Sequence, residues 1–319
     1  MAHIFNEQDV AQQLTPTRCA HWVARAMIAL STDARDQPLR NIIPVAPGRL
    51  FALMPGSLPL FGLVGAKVIT AYPQSPGSQR TRHRGMVLGF DSESGELIGM
   101  ADAHEVTLIR TAVASAIATN ALARPDAARL TVMGTGAQAQ SHARVLAELR
   151  TLDRIAIWGR DFTTAQQVAA ELDARLAVPV VAIADAEQAV GEADILATVT
   201  GSPTPILMDA WVKPGTHINL VGSSHAGPYE ADPPLVARAR YYVDCEPYAR
   251  VAAAEFLEAA KAGLIDDKQH IRGEIGQVLA GIRTGREHGG DVTIYKSLGH
   301  VVQDLAALRC LLELAKDQA

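Results

Sequence analysis

The sequence is poor in cysteine: only Cys19, Cys245 and Cys310 occur in 319 residues, and no two of them form a CxxC pair. A disulfide framework and a thiolate zinc site are therefore not expected, and a reducing cytoplasm fits. Ten histidines are present, but no HxxxH or HxH pair with carboxylate support occurs, so no metal is expected. No run of about 18 uncharged apolar residues is found, which excludes a helical membrane span. The opening stretch MAHIFNEQDVAQQL lacks a basic segment followed by an apolar one, so it does not read as a secretory signal. There is no block of like charge either. The net charge is −5 with acids and bases interspersed, so neither nucleic acid nor a membrane surface is an expected partner. Internal repeats and low-complexity tracts are absent as well.

What is present is an ordinary globular composition, 48% hydrophobic, in a chain long enough that two domains are expected. Residues 7–31 carry apolar positions at helical spacing (Val10, Leu14, Cys19, Trp22, Val23, Ala26, Met27). They read as two short helices split near Pro16. From about 38 to 105 short β-rich runs follow: NIIPVAP, LFALMP, GAKVITAYP, GMVLGFD and LIGMADA. Pro, Gly and Ser punctuate them, as in an antiparallel or mixed sheet, and SESGEL at 92–97 reads as a hairpin turn. Residues 106–123 form an Ala-rich helix, apolar on most faces and expected to be buried. From about 129 strands alternate with helices: RLTVMGTG, AQAQSHARVLAELR, RIAIWGR, TTAQQVAAELDARL, VPVVAI, EQAVGEAD, ILATVT, THINLVG and RYYVDC. That alternation predicts a parallel, doubly wound sheet. Helical stretches follow 245, then VTIYKSLG and a last helix at 300–317 with Val301, Leu305, Leu308 and Leu312 on one face. The fold class is therefore α/β. A Rossmann-type sheet occupies 123–299, and an α+β substrate-binding and dimerisation domain occupies 1–122, completed by the helix at 300–319.

The sharpest local signal is Gly134-Thr135-Gly136-Ala137-Gln138-Ala139, which follows a buried strand and opens a helix. The first glycine permits the tight turn, and the second lets the backbone approach a pyrophosphate. The small third residue lets helix and strand pack closely, and the helix N-terminus offers N–H groups to phosphates. A tight turn without a ligand would show the same glycines, but the position in the first of several βαβ units favours a dinucleotide. The second strand ends Ile157-Trp158-Gly159-Arg160-Asp161. Gly159 stands where an NAD site usually has its acid, and Arg160 is placed to meet a 2′-phosphate. This favours NADP(H), while Asp161 keeps NAD(H) open.

Taken together, QPLRNIIPV (37–45), GAKVITAYP (65–73), LIRTAVASAIATNAL (108–122), MGTGAQAQSH (133–142), PILMDAWVKPGTHINLVGSS (205–224), YYVDC (241–245) and YKSLGHVVQD (295–304) resemble the ornithine cyclodeaminase/mu-crystallin family, in family order. The resemblance implies a nicotinamide cofactor, an amino- or imino-acid substrate and a homodimer. It places substrate-binding residues at Arg40, Lys67 and Arg110, with His83 as a further pocket residue. Cofactor contacts fall on Gly134, Thr135, Gly136, Ala137, Gln138, Gly159, Arg160, Thr198, Val199, Ser224 and the segment Lys296-Ser297-Leu298-Gly299. The residue chemistry suits these roles, because the arginine fork binds a carboxylate bidentately. An unpaired ammonium in the apolar strand around Lys67 would be costly, so it should face a charged ligand or transfer a proton with a lowered pKa. Other readings exist for each. Without the resemblance Arg40 reads as an ordinary surface arginine, Lys67 could snorkel to solvent, and Arg110 could pair with Asp102 or Glu105; with it, function is favoured for all three. Ser297 could simply cap the last helix.

One departure matters. Cyclodeaminases and alanine dehydrogenases of that family carry an aspartate two residues after the glycine that ends the fifth strand of the dinucleotide domain. Here that position is Ser224, in Gly222-Ser223-Ser224-His225. A serine hydroxyl is no base near neutral pH, whereas ketimine reductases resembling mu-crystallin share the serine. The catalytic residues are accordingly read as Lys67 and Ser224. The expected reaction is reduction of a ketimine, a cyclic or acyclic imino acid resembling Δ1-pyrroline-2-carboxylate. The alternatives are ornithine cyclodeamination to proline and ammonia with NAD recycled, and a crystallin-like NADPH-binding protein without turnover.

Overall fold

The computed structural model of the chain describes residues 2–33, 37–72 and 83–317, with the side chains of His83 and Asp317 outside the description. Two compact units are present: Met1–Thr111 with His300–Ala319, and Ala112–Gly299. The boundary drawn from sequence lies at 122/123, at the end of a helix; the units part within that helix, between Thr111 and Ala112.

In the first unit β1 (His3–Phe5) leads into α1 (Glu7–Gln13). A capping box starts this helix: Asn6 accepts from the Asp9 N–H, and Asp9 accepts from the Asn6 N–H. The next helix, α2 (Pro16–Thr32), has its proline at the start, where a missing N–H costs nothing. The strands β2 (Asn41–Ala46), β3 (Arg49–Leu58), β4 (Leu63–Ala71), β5 (His83–Asp91) and β6 (Leu97–Asp102) form an antiparallel meander. The sheet order is β1-β6-β5-β4-β3-β2, with β1 parallel to β6. Three residues carry no readable alternation, which is why β1 was not expected. Helix α3 (Ala103–Leu122) follows β6 directly. It buries Val106, Ala112, Val113, Ala116 and Leu122, so the expected burial of this Ala-rich stretch is borne out.

The second unit alternates β7 (Arg129–Met133), α4 (Ala137–Leu149), β8 (Arg154–Trp158), α5 (Phe162–Asp173), β9 (Val180–Ala182), α6 (Ala186–Gly191), β10 (Ile195–Thr198) and β11 (His217–Leu220). It continues with α7 (Pro233–Arg238), β12 (Arg240–Val243), α8 (Glu246–Ala252), α9 (Ala254–Lys261), β13 (Ile271–Glu274), α10 (Ile275–Leu279) and β14 (Thr293–Lys296). All eight strands are parallel, in the order β13-β12-β14-β11-β10-β7-β8-β9. The expected α/β class, a Rossmann-type parallel sheet plus a second unit, is borne out. The sheet also holds two features that sequence pattern did not give. The four-residue strand β13 has no distinct period, and β14 inserts between β11 and β12. Order reverses between β7 and β10, the switch point where such sheets bind ligands beyond their strand ends.

The last helix, α11 (Val301–Asp317), belongs to the first unit and lies against its sheet. Four glycines stand in register across adjacent strands: Gly56 on β3, Gly65 on β4, Gly89 on β5 and Gly99 on β6. Each faces one apolar residue of α11. An added Cβ would come within 2.3 Å of Val301 at Gly56, 2.9 Å of Leu305 at Gly65, 2.6 Å of Leu308 at Gly89 and 2.9 Å of Leu312 at Gly99. These are the four residues of the apolar stripe read from the sequence. The side-chain-free row lets the helix axis approach the sheet more closely than side chains would allow. Asp304 is carried inward by that approach and is fully buried.

Candidate functional site

Within the first unit Lys67 and Arg110 converge on Asp304. Lys67 sits mid-strand in β4, between Met54 and Val87, and is 3% exposed. Its ammonium donates to Asp304 Oδ1 at 3.1 Å and to Thr107 Oγ1 at 2.5 Å. Arg110 donates from Nε to Asp304 Oδ1 at 2.9 Å and from Nη1 to Gln303 Oε1 at 2.7 Å. Neither Asp102 nor Glu105 pairs with Arg110, as one reading allowed: Asp102 instead accepts the Glu105 N–H at 2.8 Å and caps α3. The snorkelling alternative for Lys67 is excluded by its burial. Arg40 is half-buried just before β2, and its charge reaches both Lys67 and His300. The side chain of His83, expected in the pocket, lies outside the described residues.

Burial pulls the Lys67 ammonium down to about 8, against the opposing pull of Asp304 and with help from Arg110 and Arg40. Burial pushes the Asp304 carboxyl up, but Arg110 and Lys67 outweigh it and hold it below the ordinary carboxylate range. Two cations, Lys67 and Arg110, thus share one carboxylate oxygen. Asp304 Oδ2 and the Gln303 amide nitrogen are buried without a hydrogen-bond partner among the described residues. Buried polar atoms are normally satisfied; the open Gln303 amide donor beside Arg110 suits an anionic group of a ligand, and the open Asp304 oxygen suits a donor such as an amine or imine N–H. Asp304 was missed in the sequence, although it ends the quoted segment YKSLGHVVQD. The available signal was an acid one helical turn from the apolar face of α11.

In the second unit the expected cofactor residues gather at the carboxyl ends of β7, β10, β11 and β14, which are adjacent strands. Gly134 has φ +142°, and a Cβ there would stand 2.9 Å from Val199 Cγ2. Only glycine lets the loop after β7 pass so close to the loop after β10. Gly136 is the N-cap of α4, has open space where a Cβ would be, and supplies no side-chain cap. The first turn of this 13-residue helix therefore presents backbone amides to an anion. Thr135, Ala137 and Gln138 complete the loop, and Thr135 packs so tightly on Gly159 that a Cβ there would lie 2.5 Å from its methyl group. The loop fits a pyrophosphate.

Beyond β8, Arg160 is exposed and makes no ion pair among the described residues. Asp161 is committed elsewhere. It caps α5, accepting the Thr163 N–H at 3.2 Å and the Thr164 hydroxyl at 2.5 Å.

Two expected cofactor residues have inward side chains. Thr198 is fully buried and donates its hydroxyl to Glu230 at 2.8 Å. Lys296 is also fully buried, and its ammonium lies 2.8 Å from Glu255 Oε2, an ion pair by proximity. Both side chains are thus turned inward, the ammonium beside the counter-charge that its burial requires. Ser297 and Leu298 are nearly buried, and Asp244 accepts the N–H groups of Leu298 at 2.9 Å and Gly299 at 2.6 Å. Ser224 is half-buried, and its carbonyl accepts from the Tyr248 hydroxyl at 3.3 Å.

The organiser of these strand ends is Glu230, which the sequence did not reveal. Its carboxylate accepts from Thr198 Oγ1 at 2.8 Å, Thr200 N at 2.6 Å, Thr200 Oγ1 at 2.8 Å and Gly222 N at 2.8 Å. A Cβ at residue 222 would come within 2.5 Å of that carboxylate, so the close approach requires Gly222. Burial pushes the Glu230 carboxyl up against the pull of these donors and of Lys296. Its one visible trace in the sequence is an acid among turn residues, two positions before Asp232, in HAGPYEADPP.

Comparisons with known proteins agree with this architecture. The profile described as "Ornithine cyclodeaminase/mu-crystallin family" matches residues 2–319. The ketimine reductase mu-crystallin of Mus musculus is 33% identical over 274 residues, 86% of this chain and 83% of the mouse protein. A Delta(1)-pyrroline-2-carboxylate reductase of Bacillus cereus is 30% identical over 299 residues, 93% of this chain and 91% of that protein. The structure of the Thermococcus litoralis Delta(1)-pyrroline-2-carboxylate reductase in complex with NADH and L-proline superposes with a TM-score of 0.93. It is 26% identical, and the match covers 99% of this chain and 98% of that one.

Proposed function

The chain belongs to the ornithine cyclodeaminase/mu-crystallin family, and from that premise we propose that it reduces an imino acid to an amino acid, with Δ1-pyrroline-2-carboxylate as the type compound. The observation that carries this reading is the buried Lys67 ammonium, tied to Asp304 and lowered to about 8. Such a group is protonated at neutral pH yet acidic enough to release its proton, which is what a general acid needs. Arg40 and Arg110 hold the substrate carboxylate. Lys67 delivers a proton from Nζ to the imine nitrogen, and Asp304 keeps that ammonium in place. A bound reduced nicotinamide supplies the hydride that the imine carbon gains. Ser224 offers a hydroxyl where deamination would call for a carboxylate base, which favours reduction.

The dinucleotide is held by the Gly134–Gln138 loop and the start of α4, with Val199, Ser224 and the backbone of residues 296–299 beside it. NADPH is the preferred form in this reading. Gly159 has no side chain to offer a ribose hydroxyl, Asp161 is engaged in capping α5, and Arg160 is free to meet a 2′-phosphate. The working state is a homodimer. Edge strand β2 supports it by exposing Ile42, Ile43 and Val45 at 44%, 50% and 53% beside its unpaired edge, an apolar surface that calls for cover.

The test is spectrophotometric. With pyrroline-2-carboxylate and NADPH, the absorbance of the reduced nicotinamide falls as proline forms. Proline arising from ornithine with no net change in cofactor would instead establish cyclodeamination. Dinucleotide binding without turnover of any imino or amino acid would leave only a binding protein.

A further inference from the structure

In the second unit the run β9-β8-β7-β10-β11-β14 has the strand order of a dinucleotide fold built from two mononucleotide-binding halves. The loop after β7 suits the pyrophosphate, and the end of β8 belongs to the adenosine side. The nicotinamide side therefore falls to β10, β11 and β14. All three of these strand ends meet in the hydrogen bonds around Glu230.

The ladder between β10 and β11 stops short of the loops. Its last bonds run from Val221 N and Gly222 N to Thr198 O, at 3.0 and 3.1 Å. Past that point Glu230 takes over. Its Oε1 accepts Thr200 N at 2.6 Å, and its Oε2 accepts Gly222 N at 2.8 Å. The carboxylate thus spans the two segments where strand pairing has ended. Glu230 is itself held on both sides of its backbone. Its carbonyl accepts the Ile206 and Leu207 N–H groups at 2.8 and 3.0 Å, and its own N–H donates to Glu255 Oε1 at 3.1 Å. The other Glu255 oxygen lies 2.8 Å from the ammonium of Lys296, the last residue of β14. One network therefore runs from the end of β10 through β11 to the end of β14.

The fold alone does not call for such a group. Parallel strands are held by their ladders, and apolar side chains of similar volume fill a strand end without the cost of burying a carboxylate. What Glu230 adds is a fixed backbone beyond the ladder, which is where sheets of this kind bind their ligands. Each of its oxygens meets a backbone N–H, a group that can only donate, so an acceptor is required on both sides. The placement extends to Ser224. Gly222 N is pinned by Glu230, and two residues on the Ser224 carbonyl accepts the Tyr248 hydroxyl at 3.3 Å.

We propose that Glu230 is a positioning residue for the nicotinamide ring: by fixing the backbone at Thr200 and Gly222, it sets the surface beyond β10 and β11 on which the ring lies. The inference rests on the dinucleotide reading above and divides that site into a half that depends on Glu230 and a half that does not. The pyrophosphate and adenosine side is held by the Gly134–Gln138 loop and the start of α4, to which Glu230 makes no hydrogen bond among the described residues.

The experiment is a calorimetric titration of the full chain with two ligands. One is NADPH; the other is 2′-phospho-ADP-ribose, the same dinucleotide without its nicotinamide ring. The variant is Glu230→Gln, which keeps the shape but sets an amide NH2 against one of the two backbone donors. It should bind NADPH about ten- to hundredfold more weakly, as for a lost hydrogen bond to a charged group, and the ring-free ligand within about threefold of the wild type. Thr198→Val removes one hydroxyl donor and leaves the carboxylate its other three. This milder variant should show the same selectivity with a smaller factor, and it decides the matter if Glu230→Gln does not fold.

Equal weakening of both ligands, or weakening of neither, would assign Glu230 to the fold at large and overturn the proposal. So would a wild type that binds the ring-free ligand as tightly as NADPH, since there would be no ring contact to position. A wild type that binds neither ligand removes the dinucleotide reading together with the inference.

Discussion

Asp304 Oδ1 lies 3.1 Å from Lys67 Nζ, although the two residues are 237 positions apart in the chain. The same oxygen takes the Arg110 Nε at 2.9 Å. One buried carboxylate thus fixes the position of the proposed proton donor and restrains the lowering of its pKa by burial.

Replacing it tests that claim. Asp304→Asn keeps the shape but removes the charge, leaving Lys67 and Arg110 uncompensated. The variant should lose about 3–5 kcal/mol of stability, the usual cost of breaking a buried pair, as read by urea unfolding. Without the opposing pull of Asp304, the alkaline limb of kcat should move to lower pH. A purely structural aspartate would leave that limb in place.

The pH profile of the unmodified chain follows from the same group. Lys67 must be protonated to donate, and its pKa is lowered to about 8. Imine reduction should therefore hold level below about 8 and fall about tenfold per pH unit above it. Oxidation of the amino acid needs the neutral amine and should rise across the same interval. Initial rates in both directions check this, and a profile that is flat from pH 7 to 10 in both would exclude Lys67 as the titrating group.

Cofactor preference depends on Arg160. Arg160→Asp exchanges a cation for an anion beside the expected 2′-phosphate, so kcat/KM with NADPH should fall at least tenfold relative to NADH. An unchanged ratio removes Arg160 from the cofactor site.

The glycine row can be probed at Gly89, where an added Cβ meets Leu308 Cδ2 at 2.6 Å and no backbone atom. Gly89→Ala should cost about 1–3 kcal/mol by overpacking, and Leu308→Ala about 2–5 kcal/mol through the cavity it leaves. Combined, they should cost less than their sum, because each relieves the defect of the other. Thermal unfolding of the four proteins of this cycle measures the coupling; strict additivity would mean that α11 does not bear on the row as described.

Some of this was open to reading because the information is local. The Gly134 loop, its preceding strand and the helix it opens are consecutive, so spacing alone carries the geometry of a strand–turn–helix anion site. The alternation of strands and helices likewise gave the parallel sheet. The apolar stripe Val301, Leu305, Leu308 and Leu312 is fixed by helical period. What period could not supply were the short strands β1 and β13, or the insertion of β14 between β11 and β12.

The sequence by itself determined the fold class, the turn after β7 and some of the chemically capable residues, Lys67 and Arg110 among them but not Asp304 or Glu230, since each follows from neighbouring residues or from side-chain type. Only the tertiary structure decided what those residues do to one another. It alone joined Lys67 and Arg110 to Asp304, turned Lys296 and Thr198 inward and put Glu230 at the centre of the strand ends. The reason is physical: proton affinity and ionic pairing depend on burial and on distances of a few ångströms, and the chain acquires both only when segments hundreds of residues apart are packed together.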